Sequence, residues 1–118
     1  MPKANIHYHF KSKQGLYLAV LDQIIDTWNQ PFEWVSADDD PAEALDNFIR
    51  NKVQQSYNDP AASRLFASEI IQGAPHLQEY LRHRMRPWVK ARVAVIENWI
   101  KAGKMQETDP YQLIFMIW

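Results

Sequence analysis

The chain has 118 residues, room for one domain with one core, which at this size buries roughly two-thirds of the surface its unfolded form exposes. It has no cysteine, which excludes a disulfide framework and a thiolate metal site, and no apolar run approaches the roughly 20 residues that span a bilayer, so a cytoplasmic protein with no membrane partner is expected. Net charge is −1, yet residues 1–13 carry three lysines and no acid, residues 14–79 carry 3 basic and 11 acidic side chains, and residues 80–118 carry 7 and 3, so a polyanion would meet the first segment and avoid the second.

The basic start runs into the amphipathic stretch SKQGLYLAVL, which does not have the apolar core and small-residue cleavage site of a secretory signal. Helices are expected at about 3–9, 12–35, 41–57, 60–72, 76–102 and 110–118. Asp-Pro occurs three times, at Asp40-Pro41, Asp59-Pro60 and Asp109-Pro110. Asp caps free N–H groups and Pro suits the first helical position, so each pair marks a helix start. Ser12 marks another, with Gly15 where a capping box would place Glu or Gln. Gly73 and Gly103 close periodic runs and predict C-terminal stops. No segment alternates with period two, so the predicted fold class is all-α.

Apolar spacing predicts one buried stripe through Leu16, Val20, Ile24, Thr27, Trp28, Pro31 and Val35, and another through Leu77, Leu81, Met85, Trp88, Ile96 and Trp99. Pro31 and Pro87 fall inside these two helices and should bend or split them.

Catalytic chemistry is not expected, because the chain has no nucleophile elbow, phosphate-cradling glycine loop or zinc-binding HExxH. His7 and His9 stand at i and i+2 and face different sides of a helix, His76 and His83 are expected in solvent, and neither pair has a third ligand, so no metal and no cofactor are expected. The basic run RHRMRPWVKAR is expected to be a solvated helix face. Glu69, in the apolar context FASEII, is the acid expected to be buried, with Arg64 as its partner.

Five tryptophans, Trp28, Trp34, Trp88, Trp99 and Trp118, offer flat walls for a heterocycle, with core packing as the plainer role for each. Across an antiparallel turn the depths of Trp28 and Lys52 differ by roughly one helical turn, so one pocket can hold both. The six successive apolar residues Leu113–Trp118 surround the last helix with apolar surface, one side of which is expected to be an interface.

The opening KANIHYHFKSKQGL resembles the end of the DNA-binding domain of TetR-family regulators: Asn5, Ile6, Tyr8, His9, Phe10, Ser12, Lys13 and Leu16 fit the spacing on which that helix-turn-helix closes, while His7 stands where the family more often has an aromatic residue. The segments LYLAVLDQIIDTWNQP, SRLFASEIIQGAPHL, WIKAGKM and DPYQLIFMIW resemble one branch of the family, the pyrimidine-utilisation repressors. The resemblance implies a ligand-responsive transcriptional repressor, a homodimer whose grip on DNA is set by a small heterocycle such as uracil or thymine. Residues 1–11 would be the remnant of the helix-turn-helix and residues 12–118 a C-terminally incomplete ligand-binding and dimerisation domain, with further helices before Lys3 and after Trp118. By position in the motif, Lys3, Ala4 and His7 would face base edges, while Asn5, Tyr8, His9 and Lys13 would touch phosphate or sugar. The ligand would stack near Trp28 and Trp118 with Lys52 donating to a carbonyl. The alternative from a different class is a helical interaction module that dimerises without binding DNA.

Overall fold

The computed structural model describes residues 13–118. Among the described residues, five helices of eight residues or more carry the fold: α1 (Lys13–Asn29), α2 (Pro41–Asn58), α3 (Pro60–Ile71), α4 (Arg86–Lys101) and α5 (Pro110–Ile117). Among the described residues there is no strand, as the missing period-two pattern required.

The helix punctuation works as its chemistry dictates. The carboxylate of Asp40 accepts from the Glu43 N–H, that of Asp59 from Ala62, and that of Asp109 from Tyr111 and Gln112, with a proline following each acid in the first turn. Gly73 (φ +91°) and Gly103 (φ +73°) end α3 and α4 in the left-handed region. Each makes the paired bonds of a Schellman turn: Gly73 N–H to Ile70 O with Ala74 N–H to Glu69 O, and Gly103 N–H to Ile100 O with Lys104 N–H to Trp99 O. A side chain at either glycine would meet open space, so the backbone angle alone sets the preference.

The two internal prolines do more than bend their helices. α1 ends at Asn29, followed by a single 3-10 turn, Gln30–Phe32, so the expected helix over 12–35 stops six residues early. The expected helix over 76–102 begins as a short α-helical turn at Gln78–Tyr80, widens into a π-turn at Leu81–Met85, and returns to α-helix at Arg86, which places Pro87 in the first turn of α4 where its missing N–H does no harm.

The core gathers Leu21, Ile25, Phe32, Phe48, Leu77, Val93, Ile96, Trp99 and Ile114, with the rings of Phe32 and Phe48 stacked at 4.6 Å. The second predicted stripe lies on it, but the first is rotated by about one residue. α1 buries Leu21, Ile25, Trp28 and Asn29, while Val20 and Thr27 are exposed. The reason is Glu69, which is 1% exposed and draws Tyr17 on α1 inward to donate to its carboxylate at 2.9 Å.

Glu69 is buried as its sequence context suggested, but its partner is not Arg64, which is exposed. The turn after Gly73 brings the chain back, so that the His76 N–H donates to Glu69 Oε2 at 2.7 Å and His76 Nδ1 lies 3.2 Å from Oε1. His76 is thus half-buried, its ring edge-on to Tyr17 at 5.1 Å, and not free in solvent. Burial alone would raise the Glu69 carboxyl, but the His76 N–H, the Tyr17 hydroxyl and the His76 ring together outweigh it and hold the group below its ordinary value of 4.5. Burial, reinforced by the bond to Glu69, pushes the Tyr17 hydroxyl up, so it remains a donor.

A lowered carboxylate pKa contributes stability that is present above the unfolded value and lost as pH falls through the folded one. Tyr17→Phe is therefore expected to cost about 1.5–3 kcal/mol at pH 7, the range for a hydrogen bond to a charged group. The penalty should shrink below pH 4.5 as Glu69 takes up a proton, which denaturant melts of the two proteins at pH 7 and in acid will show.

Candidate functional site

Where α1 ends, α2 lies against it in antiparallel register. Phe48, Lys52 and Gln55, spaced i, i+4, i+7 on one face of α2, meet Phe32, Trp28 and Thr27 in turn. The last of these contacts follows from Pro31. The Thr27 carbonyl would accept from the N–H four residues on, and Pro31 has none, so Gln55 Nε2 donates to it at 3.1 Å. Carbonyls further along the same exit are also taken by side chains: Phe32 O and Glu33 O accept from Arg92, Ser36 O from Trp99 Nε1 and Ala37 O from Lys104.

This register puts a lysine at a core-facing position. Lys52 Nζ lies 3.8 Å from the ring centroid of Trp28 and 4.4 Å from that of Trp118. Phe66 of α3 closes the cluster, edge-on to Trp28 at 5.2 Å and to Trp118 at 5.1 Å, and the two indoles meet edge-on at 5.6 Å. Trp118 arrives at the end of α5, which Ile114 anchors in the core, and its Nε1 donates to Asn29 Oδ1 at 2.8 Å. Asn29 is itself 5% exposed, with its amide nitrogen turned to Met85 Sδ.

Among the described residues, the side-chain polar atoms shut off from solvent without a hydrogen-bond partner are Lys52 Nζ and Gln55 Oε1. Removing an ammonium from water costs several kcal/mol, and an indole face returns about 0.5–2 kcal/mol. The burial cost wins, and it pushes Lys52 from 10.5 down to about 8. The group remains a cation at neutral pH, a donor with aromatic faces around it and, among the described residues, no oxygen to donate to.

Trp28, Lys52 and Trp118, which the resemblance groups around one ligand, are neighbours in the fold. Lys13 is exposed at the first residue of α1. Lys3, Ala4, Asn5, His7, Tyr8 and His9, like the Ser12 cap, lie outside the described residues. The other tryptophans have other roles: Trp34 is 84% exposed, Trp88 donates to Glu33 at 2.7 Å, and Trp99 is core. The structure adds Asn29, Gln55 and Phe66 to the cluster, of which Gln55, a glutamine seven residues after Phe48 on a core-facing stripe, carries a legible sequence signal.

The basic run after Tyr80 is not simply a solvated face. Arg84 reaches Asp22 at 2.7 Å and Asp26 at 3.4 Å, and Arg92 is mostly buried against Trp88 and Glu33. These contacts tie the π-turn to α1 and α4 to the segment that follows α1. Among the described residues no cluster of His, Asp or Glu could hold a metal ion, and no helix is long and apolar enough to cross a membrane.

The sequence model of a family described as YcdC-like protein, C-terminal region, matches residues 21–118. The chain belongs to the TetR family. Over 116 residues, 98% of this TetR-family chain, it is 42% identical to the HTH-type transcriptional regulator RutR of Escherichia coli (strain K12), and equally to the protein of that name from Shigella flexneri. The matched region is 55% of each relative, so the chain spans about half the length of the curated relatives it matches.

The lysine gives the site a pH signature. A lowered lysine pKa means that between about 8 and 10.5 the unfolded chain holds a proton the folded one has lost, so this group's contribution to stability rises with pH across that window. Comparing wild type with Lys52→Met cancels the other titrating groups. The melting temperature of the wild type is expected to gain on that of the variant between pH 7.5 and pH 9.5, and a constant difference would place the Lys52 ammonium in water.

Proposed function

We propose that this chain is the effector-binding and dimerisation part of a TetR-type transcriptional regulator, whose hold on DNA is set by a small, flat, oxygen-bearing heterocycle, with uracil and thymine the first compounds to test. The observation that carries the reading is Lys52 Nζ, a shielded donor with no acceptor among the described residues, held against the faces of Trp28 and Trp118. A carbonyl oxygen on a stacking ring satisfies both features at once, giving the ammonium its acceptor and the indoles a π-face. The 42% identity to RutR, an HTH-type transcriptional regulator by name, supports the regulatory role.

The remaining parts of the reading follow the chain outward from this cluster. Phe66, in the aromatic wall, and Glu69, which holds Tyr17, stand three residues apart on α3 and so share a face. A ligand that shifts Phe66 therefore acts on the helix that grips the first turns of α1, next to Lys13. Residues 1–11 form the recognition helix, with Lys3, Ala4 and His7 toward base edges and Asn5, Tyr8, His9 and Lys13 on the backbone; effector binding changes the spacing of two such helices in a dimer, which is coupling between two sites. The dimer face includes α5, where Ile114 packs inward while Phe115 and Met116 are exposed.

Fluorescence titration with thermal melting tests the effector reading. Uracil or thymine is expected to quench tryptophan emission and raise the melting temperature, as any ligand selective for the folded state must, and Lys52→Met is expected to abolish both responses. If neither pyrimidine changes either signal in the wild type, the reading fails.

A further inference from the structure

Gln55 is the second shielded group of the cluster, and its orientation is fixed by its neighbour. A carbonyl oxygen only accepts, so the amide nitrogen of Gln55 must face Thr27 O, as it does at 3.1 Å. Oε1 therefore faces away from that contact, out of reach of solvent and without a donor among the described residues. Lys52 stands three residues earlier on the same face of α2, its Nζ likewise shielded and without an acceptor among the described residues. Side chains at this spacing have Cβ atoms about 5–6 Å apart, within reach of a single small ring.

The two orphans are complementary in sense: one needs an acceptor and the other a donor. From this pair we infer that Gln55 is a specificity-determining residue of the effector site, selecting for an N–H beside the carbonyl that Lys52 takes. The inference rests on the effector reading above. Lys52 alone would take any carbonyl or carboxylate oxygen. A carboxylate brought to Lys52, however, would set negative charge close to Gln55 Oε1, and an N-alkylated ring would leave that oxygen buried and unpaired. Gln55 cannot turn its amide to suit such ligands without giving up the Thr27 carbonyl that Pro31 has left without its helical partner.

The test compares uracil with 1,3-dimethyluracil, which keeps the ring and both carbonyls but has no N–H, by calorimetric titration of the full chain and its variants. The wild type is expected to bind uracil at least about a hundredfold more tightly. In Gln55→Ala, uracil binding is expected to fall roughly ten- to hundredfold, as loss of one buried polar partner predicts, while 1,3-dimethyluracil gains from the space cleared, so the ratio narrows. Gln55→Met, which keeps the bulk of the side chain, is expected to lose uracil affinity by a similar factor and gives the same reading should the alanine variant not fold. Unchanged uracil affinity in either variant, or unchanged discrimination in Gln55→Ala, overturns the role of Gln55 while leaving a pyrimidine effector in place. A wild type that does not bind uracil overturns both.

Discussion

Pro31 has no N–H to offer the Thr27 carbonyl four residues before it, and the side chain that takes its place, Gln55, helps set where α2 lies. With Gln55 pinned to the end of α1, Lys52 one turn earlier falls on Trp28, and Phe48 one turn before that stacks on Phe32. α2 thus turns a lysine and a glutamine toward its neighbours and leaves Ile49, Val53 and Tyr57 exposed, the reverse of what hydrophobic burial alone would select. Stability does not explain that arrangement, because a buried ammonium without an oxygen partner is a cost.

The parts of the fold that were legible in the sequence are those that local chemistry decides. Asp40, Asp59 and Asp109 cap because an aspartate before a proline has little else to do there, and Gly73 and Gly103 stop helices because a left-handed residue is needed at that place. What was not legible depends on contacts between distant segments. Periodicity put Val20 and Thr27 inside, whereas Tyr17, pulled toward Glu69 from 52 residues away, turns Leu21 and Ile25 inward. Arg64 looked like the partner of Glu69 by proximity in the chain. The actual partners come from α1 and from the turn that Gly73 creates.

The candidate site divides the same way. Resemblance to TetR-family regulators points to Trp28, Lys52 and Trp118, and a first helix running to residue 35 would set the first two about one turn apart in depth. α1 in fact ends at Asn29, and the pair still meets because the 3-10 turn and the segment after it bring α2 back alongside. Gln55 is legible as a polar residue on a core-facing stripe, whereas Asn29 and Phe66 take their places only once three helices and the end of α5 close around one ammonium group.

The central claim is that Lys52 is a buried donor waiting on a ligand oxygen, and the most direct measurement is its own titration, followed by NMR at the lysine Nζ and Cε with and without uracil. The account predicts a pKa near 8 in the free protein, moving upward when uracil binds, because a carbonyl acceptor favours the charged form. A lysine that titrates near 10.5 in the free protein, unmoved by uracil, would contradict it.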